Sequence, residues 1–153
     1  MKGRCGMRYF LIAVFTLFLV ACTEDEILYA NTPDKAIQTL PSEFVDNVHR
    51  IQEMDVSENR KIYIFEDEKA ISENQTEYFV AIVEKQDKGW VVLESVGIGT
   101  PLDHGNSTTG GNYFEGGFVN QTDILQQKDN QYIFNLPEKE YSIWVELQKG
   151  LKF

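Results

Sequence analysis

The spacing of apolar residues changes twice along the chain, and each change marks a new region. Residues 9–21 are mostly apolar and carry no charge, and an acidic run at 23–26 follows them. Between residues 33 and 54 apolar positions recur every three or four residues, which is the period of a helix. From Lys61 onward, short segments are rich in Val, Ile and aromatic residues, which is typical of strands. The pattern predicts an apolar N-terminal segment, a helical region and a sheet, in that order.

Two helices are predicted in the helical region. The first, over residues 33–39, begins with a threonine that caps free N–H groups, a proline suited to the first helical position and an acid in the first turn. These start residues are Thr32, Pro33 and Asp34. The apolar stripe of the second helix, over residues 42–54, consists of Phe44, Val48, Ile51 and Met54. The opposite side of this helix is polar, so we expect it to cover one side of the sheet.

Six or seven mostly antiparallel strands are predicted after residue 60. The segments with strand character are 61–66, 77–85, 90–98, 112–120, 123–127, 132–136 and 142–148. Residues 86–89 join two of these segments with a sequence typical of a tight hairpin. Because helices come first and strands follow, the sequence predicts an α+β fold, in which two N-terminal helices pack on one bent, mostly antiparallel sheet.

A glycine-rich loop at residues 97–117 interrupts the strands and is a candidate functional site. It holds seven of the 11 glycines together with several polar side chains. Long loops in compact domains are often binding loops and often mobile connections between strands, and both interpretations stay open. If the loop binds a ligand, the residues expected to take part are Asp103, His104, Asn106, Tyr113 and Phe114. The loop lacks the lysine and the following helix that a phosphate-binding loop requires.

Length and charge narrow the functional classes. With 153 residues, the chain has room for one domain. Its 14 basic and 24 acidic residues give a net charge of −10, which argues against a nucleic-acid partner, because such proteins neutralise phosphates with clustered Lys and Arg. The two histidines, His49 and His104, are far apart, and the chain has no metal-ligand spacing. Neither a metal nor another cofactor is expected.

The N-terminal segment has the layout of a secretory signal. A basic start precedes the apolar run, which ends in Leu19, Val20, Ala21 and Cys22. These four residues resemble the lipobox of bacterial lipoprotein precursors, in which a small residue precedes a cysteine. The resemblance implies that a diacylglycerol is attached to the Cys22 sulfur and that a signal peptidase cleaves between Ala21 and Cys22. The alternative is an ordinary secretory signal that has a cysteine near its end by chance.

The resemblance also implies how the chain is divided. Residues 1–21 are then a cleaved signal peptide, residues 22–31 the lipidated cysteine with an acidic tether, and residues 32–153 a single α+β domain. Cleavage removes Cys5 and leaves 11 basic residues against 24 acidic ones, a charge of −13. With Cys22 lipidated, the mature chain has no free thiol, which excludes a catalytic cysteine, a disulfide and a thiolate metal site.

The resemblance implies a location at the extracytoplasmic face of a bacterial membrane, where the lipid on Cys22 holds the protein. In a cell with two membranes the outer one is favoured, because Thr23 stands where an Asp would resemble an inner-membrane retention signal. The short basic signal and the Lys-, Ile- and Glu-rich domain favour a bacterium with a single membrane, and the domain resembles small lipoproteins of Bacillus-like bacteria.

For function, we expect a non-enzymatic binding module that recognises a protein or envelope ligand through its sheet and the glycine-rich loop. One alternative is a small envelope hydrolase that uses two carboxylates from different strands. Another is an accessory subunit of a membrane complex. A pair of carboxylates in one cleft would favour the hydrolase, and a flat aromatic patch would favour binding.

Overall fold

Eight antiparallel strands in two sheets make up most of the fold. The computed structural model of the protein describes residues 27–67, 76–101, 108–123, 128–137 and 139–148. Two single-turn helices come first, α1 (Pro33–Ile37) and α2 (Ser42–Val45). The first sheet contains, in spatial order, β1 (Val48–Ser57), β2 (Arg60–Asp67), β3 (Tyr78–Gln86) and β4 (Gly89–Gly99). The second sheet, ordered β5-β6-β8-β7, contains β5 (Thr108–Gly110), β6 (Phe114–Asn120), β7 (Gln131–Asn135) and β8 (Tyr141–Leu147).

The main hydrophobic core lies between the two sheets. Side chains alternate between the two faces of a strand, so every second residue of the central strands points into this layer. Its buried members include Ile62 and Ile64 of β2, Phe118 of β6, and Ile143 and Val145 of β8. Burying each such side chain contributes on the order of 1.5–3 kcal/mol. The contact between the sheets is therefore the main source of stability.

A second apolar cluster lies on the outer face of the first sheet. It joins Ala36 and Phe44 of the N-terminal segment to Tyr63 and Phe65 of β2 and Val83 of β3. The rings of Phe44 and Phe65 meet edge-on, with centroids 5.7 Å apart. Both faces of the first sheet are thus apolar, which explains why β2 and β3 contain nearly continuous hydrophobic runs.

The predicted α+β fold, with two helices packed on one bent sheet of six or seven strands, is wrong. The described residues contain eight strands divided between two sheets of four. The two helices have five and four residues, which is too short for a helical layer. The fold is mostly β, and the partner of each sheet across the core is the other sheet.

The helix predicted over residues 42–54 is also wrong, because it ends at Val45 and β1 begins at Val48. A β-bulge at Ile51 explains the misleading spacing. At this point the pairing of β1 with β2 shifts, and Ile51 is the extra residue. Val48 therefore joins the outer cluster, whereas Ile51 and Met54 pack against the core between the sheets. A bulged strand thus produces apolar residues three apart, as a helix does.

Several local predictions are confirmed. Strands lie within one or two residues of the predicted segments at 61–66, 77–85, 90–98, 112–120, 132–136 and 142–148. The Thr32 side chain caps α1 by accepting the Lys35 N–H at 3.2 Å. The hairpin at 86–89 is present, and Gly89 has a φ of +135°. A Cβ on Gly89 would lie 2.6 Å from the Ala30 carbonyl oxygen, so this turn requires glycine.

Some of the predictions made from the sequence concern residues that the structure does not describe. Residues 1–26 include the predicted signal segment, Ala21 and Cys22, and residues 124–127 include most of the strand predicted at 123–127. The divisions of the chain at residues 21 and 31 stay predictions. In the described part of the chain, no helix is both long enough and apolar enough to cross a membrane.

Candidate functional site

Of the five candidate residues of the glycine-rich loop, the structure describes two. Asp103, His104 and Asn106 lie outside the described residues. Tyr113 is half-buried, whereas Phe114 is 0% exposed and belongs to the core between the sheets. Phe114 therefore stabilises the core and does not reach a ligand at the surface.

A carboxylate on β4 holds the turn that precedes β6. The Glu94 side chain accepts the Asn112 N–H at 2.7 Å on one oxygen and the Tyr113 N–H at 3.0 Å on the other. Because the acceptor is charged, these bonds are stronger than bonds between neutral groups. Gly111 lies so close that a Cβ there would be 1.9 Å from a Glu94 oxygen. Glu94 thus connects the first sheet to the second and fixes the backbone at Tyr113.

Alanine substitutions at Gly111 and Glu94 are expected to have non-additive effects on stability. Gly111→Ala displaces the carboxylate from both N–H groups, so we expect it to lower the free energy of unfolding by about 2 kcal/mol. Glu94→Ala removes the same two hydrogen bonds and is expected to cost a similar amount. The double variant should then lose little more than either single variant in urea denaturation. Additive losses would show that the two residues act independently.

A surface cavity of about 560 Å³ lies at the end of the second sheet where β6 begins and β8 ends. We call it the carboxylate cleft, and its lining residues are Glu115, Lys128, Asp129, Asn130, Glu146, Leu147 and Gln148. The rim is held by paired bonds between β8 and the start of β7. The Leu147 N–H donates to the Asn130 carbonyl at 2.9 Å, and the Asn130 side-chain amide donates to the Leu147 carbonyl at 2.6 Å. Three carboxylates and one ammonium make the lining acidic.

Glu115 and Glu146 are direct cross-strand neighbours in the carboxylate cleft. The register of β6 and β8 pairs these two residues, and like charges in such positions destabilise a sheet. Two contacts reduce that cost. The Lys128 ammonium lies 2.6 Å from a Glu146 oxygen, and the Gln148 side-chain amide donates to a Glu115 oxygen at 3.4 Å. One ammonium offsets only one of the three carboxylates, so the cleft favours a further cation.

A tryptophan lies one row further along the same sheet face. Trp144 is two residues before Glu146 on β8, so both side chains point to the outer face. The register places Gly117 of β6 on one side of Trp144 and Ile133 of β7 on the other. Trp144 is half-buried. The outer face of the second sheet thus combines an aromatic ring with a carboxylate pair, and both attract cations.

A second cavity, of about 440 Å³, lies where the β7–β8 connection meets the first sheet. Its lining includes His49, Glu66, Tyr78 and Lys139. The Tyr78 and Tyr141 hydroxyl groups are hydrogen-bonded at 3.0 Å. Burial, and then this bond, raise the pKa of the Tyr78 phenol far above its usual range, so the phenol stays neutral. Its charged lining residues are two basic ones, Arg50 and Lys139, and one acid, Glu66, so this cavity is not acidic, in contrast to the carboxylate cleft.

A third cavity, of about 270 Å³, lies against the outer face of the first sheet. Arg50 forms ion pairs there with Asp34 and, at 3.0 Å, with Glu53. Its guanidinium also lies 5.5 Å from the centre of the Tyr63 ring. Burial, and then the charge of Asp34, raise the pKa of the Tyr63 phenol to about 12. These groups are paired with one another, so we assign them a role in stabilising the outer face of the first sheet.

Sequence reasoning misses the carboxylate pair. Glu115 and Glu146 are 31 positions apart in the chain, and their proximity depends on β6 pairing with β8. The alternation of polar and apolar residues places each glutamate on the outer face of its strand. That alternation is the signal by which the two residues could be found, once the strand order is known.

Metal binding has no support in the described part of the chain, where no three His, Cys, Asp or Glu side chains are grouped closely enough to hold an ion. The chemistry available in the carboxylate cleft is that of paired carboxylates beside one ammonium.

No family model, curated protein or solved structure matches the chain.

Proposed function

We propose that the protein is a lipid-anchored binding protein of the bacterial envelope, and that its carboxylate cleft binds a cationic group of a protein or envelope ligand. The observation that carries the binding role is the cross-strand pair of Glu115 and Glu146 in an open cavity. A cation placed between two carboxylates replaces their repulsion with attraction. The lipobox that ends at Cys22 supports the anchor.

The charge of the whole chain supports the same class of ligand. After cleavage before Cys22, a net charge of −13 speeds the approach of a basic partner and slows that of an anionic one. The proposed partners are thus the membrane, through the lipid on Cys22, and a positively charged protein or polymer outside the cell membrane.

Neutralising the carboxylate pair is expected to weaken the binding of a basic ligand about tenfold or more, because each lost charge removes a charge-assisted contact. The variant is Glu115→Gln with Glu146→Gln, and the probe is a fluorescent oligolysine peptide whose binding is followed by anisotropy. The matched control is Glu43→Gln with Glu58→Gln, which removes the same charge at two exposed sites outside the cleft. Equal weakening in both double variants would show that binding depends on overall charge and not on the cleft.

The same pair gives one specific reason to keep the hydrolase as the second candidate. Retaining glycosidases use two carboxyl groups close together on either side of the scissile bond, and Glu115 and Glu146 project from directly opposite positions of β6 and β8. A hydrolase should release reducing sugar from cell-wall glycan and lose that activity in either single glutamine variant. Binding of oligolysine without any glycan cleavage favours the binding protein.

A further inference from the structure

Two exposed aliphatic residues mark the N-terminal end of the described chain. Ile27 is 61% exposed and Leu28 is 52% exposed, and they are the exposed large hydrophobic side chains of the described residues. We call them the apolar pair. Two such side chains are too few to form a large apolar patch, so their role depends on their position in the chain.

Contacts made by the next two residues fix the position of the apolar pair. The Tyr29 hydroxyl donates to the Gln86 side chain at 3.1 Å, and the Lys88 ammonium lies 5.7 Å from the centre of the Tyr29 ring. Ala30 and Trp90 exchange two backbone hydrogen bonds, each 2.8 Å long. The apolar pair is therefore held beside the turn that joins β3 and β4, which also carries Lys88.

The chain between the apolar pair and Cys22 is short. Residues 22–26 number five, and at about 3.3 Å per residue they span at most roughly 17 Å. This step rests on the proposed function, because it takes Cys22 as the lipidated residue at the membrane surface. A tether of that length keeps the apolar pair within reach of the interface, where membrane-bound segments bury apolar side chains about 5–10 Å deep.

We propose that the apolar pair inserts into the lipid–water interface and forms a second membrane contact beside the lipid on Cys22. The acids at 24–26 are repelled by anionic headgroups. The apolar pair supplies the opposing attraction through burial, since the charge of Lys88 in the turn is offset by that of its exposed neighbour Asp87. The β3–β4 turn then faces the bilayer, and the opposite end of β3, where Tyr78 begins the strand, points away from it.

A fluorescent label tests this arrangement in the mature, lipidated protein. Because cleavage removes Cys5 and the lipid occupies Cys22, an introduced cysteine is the single free thiol. Ile27→Cys carries an environment-sensitive dye at the apolar pair. Lys139→Cys is the matched control, since Lys139 is exposed and lines a cavity with Tyr78 at the far end of β3. Both proteins are placed in vesicles of phosphatidylethanolamine and phosphatidylglycerol, with and without brominated acyl chains.

Blue-shifted emission and quenching by brominated lipid at position 27, with neither at position 139, support the insertion. Water-like emission at both positions in a protein whose mass includes the lipid overturns the insertion and leaves the anchor intact. A mature mass without lipid overturns the anchor, and the insertion with it. As a second measurement, lipidated Ile27→Ser with Leu28→Ser should transfer between vesicles about tenfold faster than the wild-type protein, and an unchanged rate also overturns the insertion.

Discussion

Replacing Cys22 by alanine is expected to abolish lipid attachment, and so to release the protein from the membrane or leave it there as an uncleaved precursor. The resemblance to lipoprotein precursors assigns the diacylglycerol to the Cys22 sulfur, and alanine has no sulfur to receive it. A peptidase that cleaves before a lipidated cysteine then has no substrate. Stable attachment takes two acyl chains, which is what a diacylglycerol supplies. Losing the predicted lipid therefore removes both acyl chains.

Cys5 offers a matched control for this experiment. Cys5→Ala makes the same chemical change 17 positions earlier, within the predicted signal segment. We expect this variant to be lipidated and to sediment with membranes as the wild-type protein does. Labelled fatty acid and the mass of the mature protein report lipid attachment directly. If Cys22→Ala still takes up the label, the assignment of the protein as a lipoprotein is wrong.

Strands are the part of this fold that the sequence predicts, because their signal is local. In β2, Ile62 and Ile64 face the core between the sheets, while Tyr63 and Phe65 face the outer cluster. All four are buried, so residues 62–65 are hydrophobic at every position. The hairpin between β3 and β4 is just as local, since it depends on a four-residue turn.

The division into two sheets cannot be deduced from neighbouring residues. The strands β4 and β5 are consecutive in the chain but belong to different sheets. Conversely, β6 and β8 are neighbours in the sheet although β7 lies between them in the chain. Such pairings depend on which strand edges meet during folding, and the hydrophobic period does not report them. The bulge at Ile51 has a related effect, because a single extra residue shifts the apparent period of β1 from two to three.

The candidate site likewise depends on strand pairing that neighbouring residues do not determine. The composition of the glycine-rich loop directs attention to Tyr113 and Phe114, but adjacent residues at the start of a strand face opposite directions. Which of the two is buried depends on the register of β6 against β8. That register pairs Phe114 with Leu147 and, one position later, Glu115 with Glu146. The arrangement that buries Phe114 therefore also brings the two carboxylates together.

Phe114→Ala is expected to lower the free energy of unfolding by about 3–5 kcal/mol, because it empties a large volume in a closely packed layer. Phe114 is 0% exposed and shares the core cluster with Ile143 and Val145. A typical domain is stable by only about 5–15 kcal/mol, so the loss would be a large part of the total. Urea denaturation followed by the fluorescence of Trp90 and Trp144 measures it.

Tyr113→Ala is the matched variant, since it truncates the neighbouring aromatic side chain. The hydrogen bonds at Tyr113 to Glu94 and Gln148 use its backbone N–H and carbonyl groups, and alanine keeps both. Because the Tyr113 side chain is only half-buried, we expect a smaller loss than for Phe114→Ala, roughly 1 kcal/mol. If Phe114→Ala proved as mild as Tyr113→Ala, Phe114 would not fill the core, and the register that pairs Glu115 with Glu146 would be wrong too. The stability of this one variant thus tests the geometry of the carboxylate cleft without any ligand.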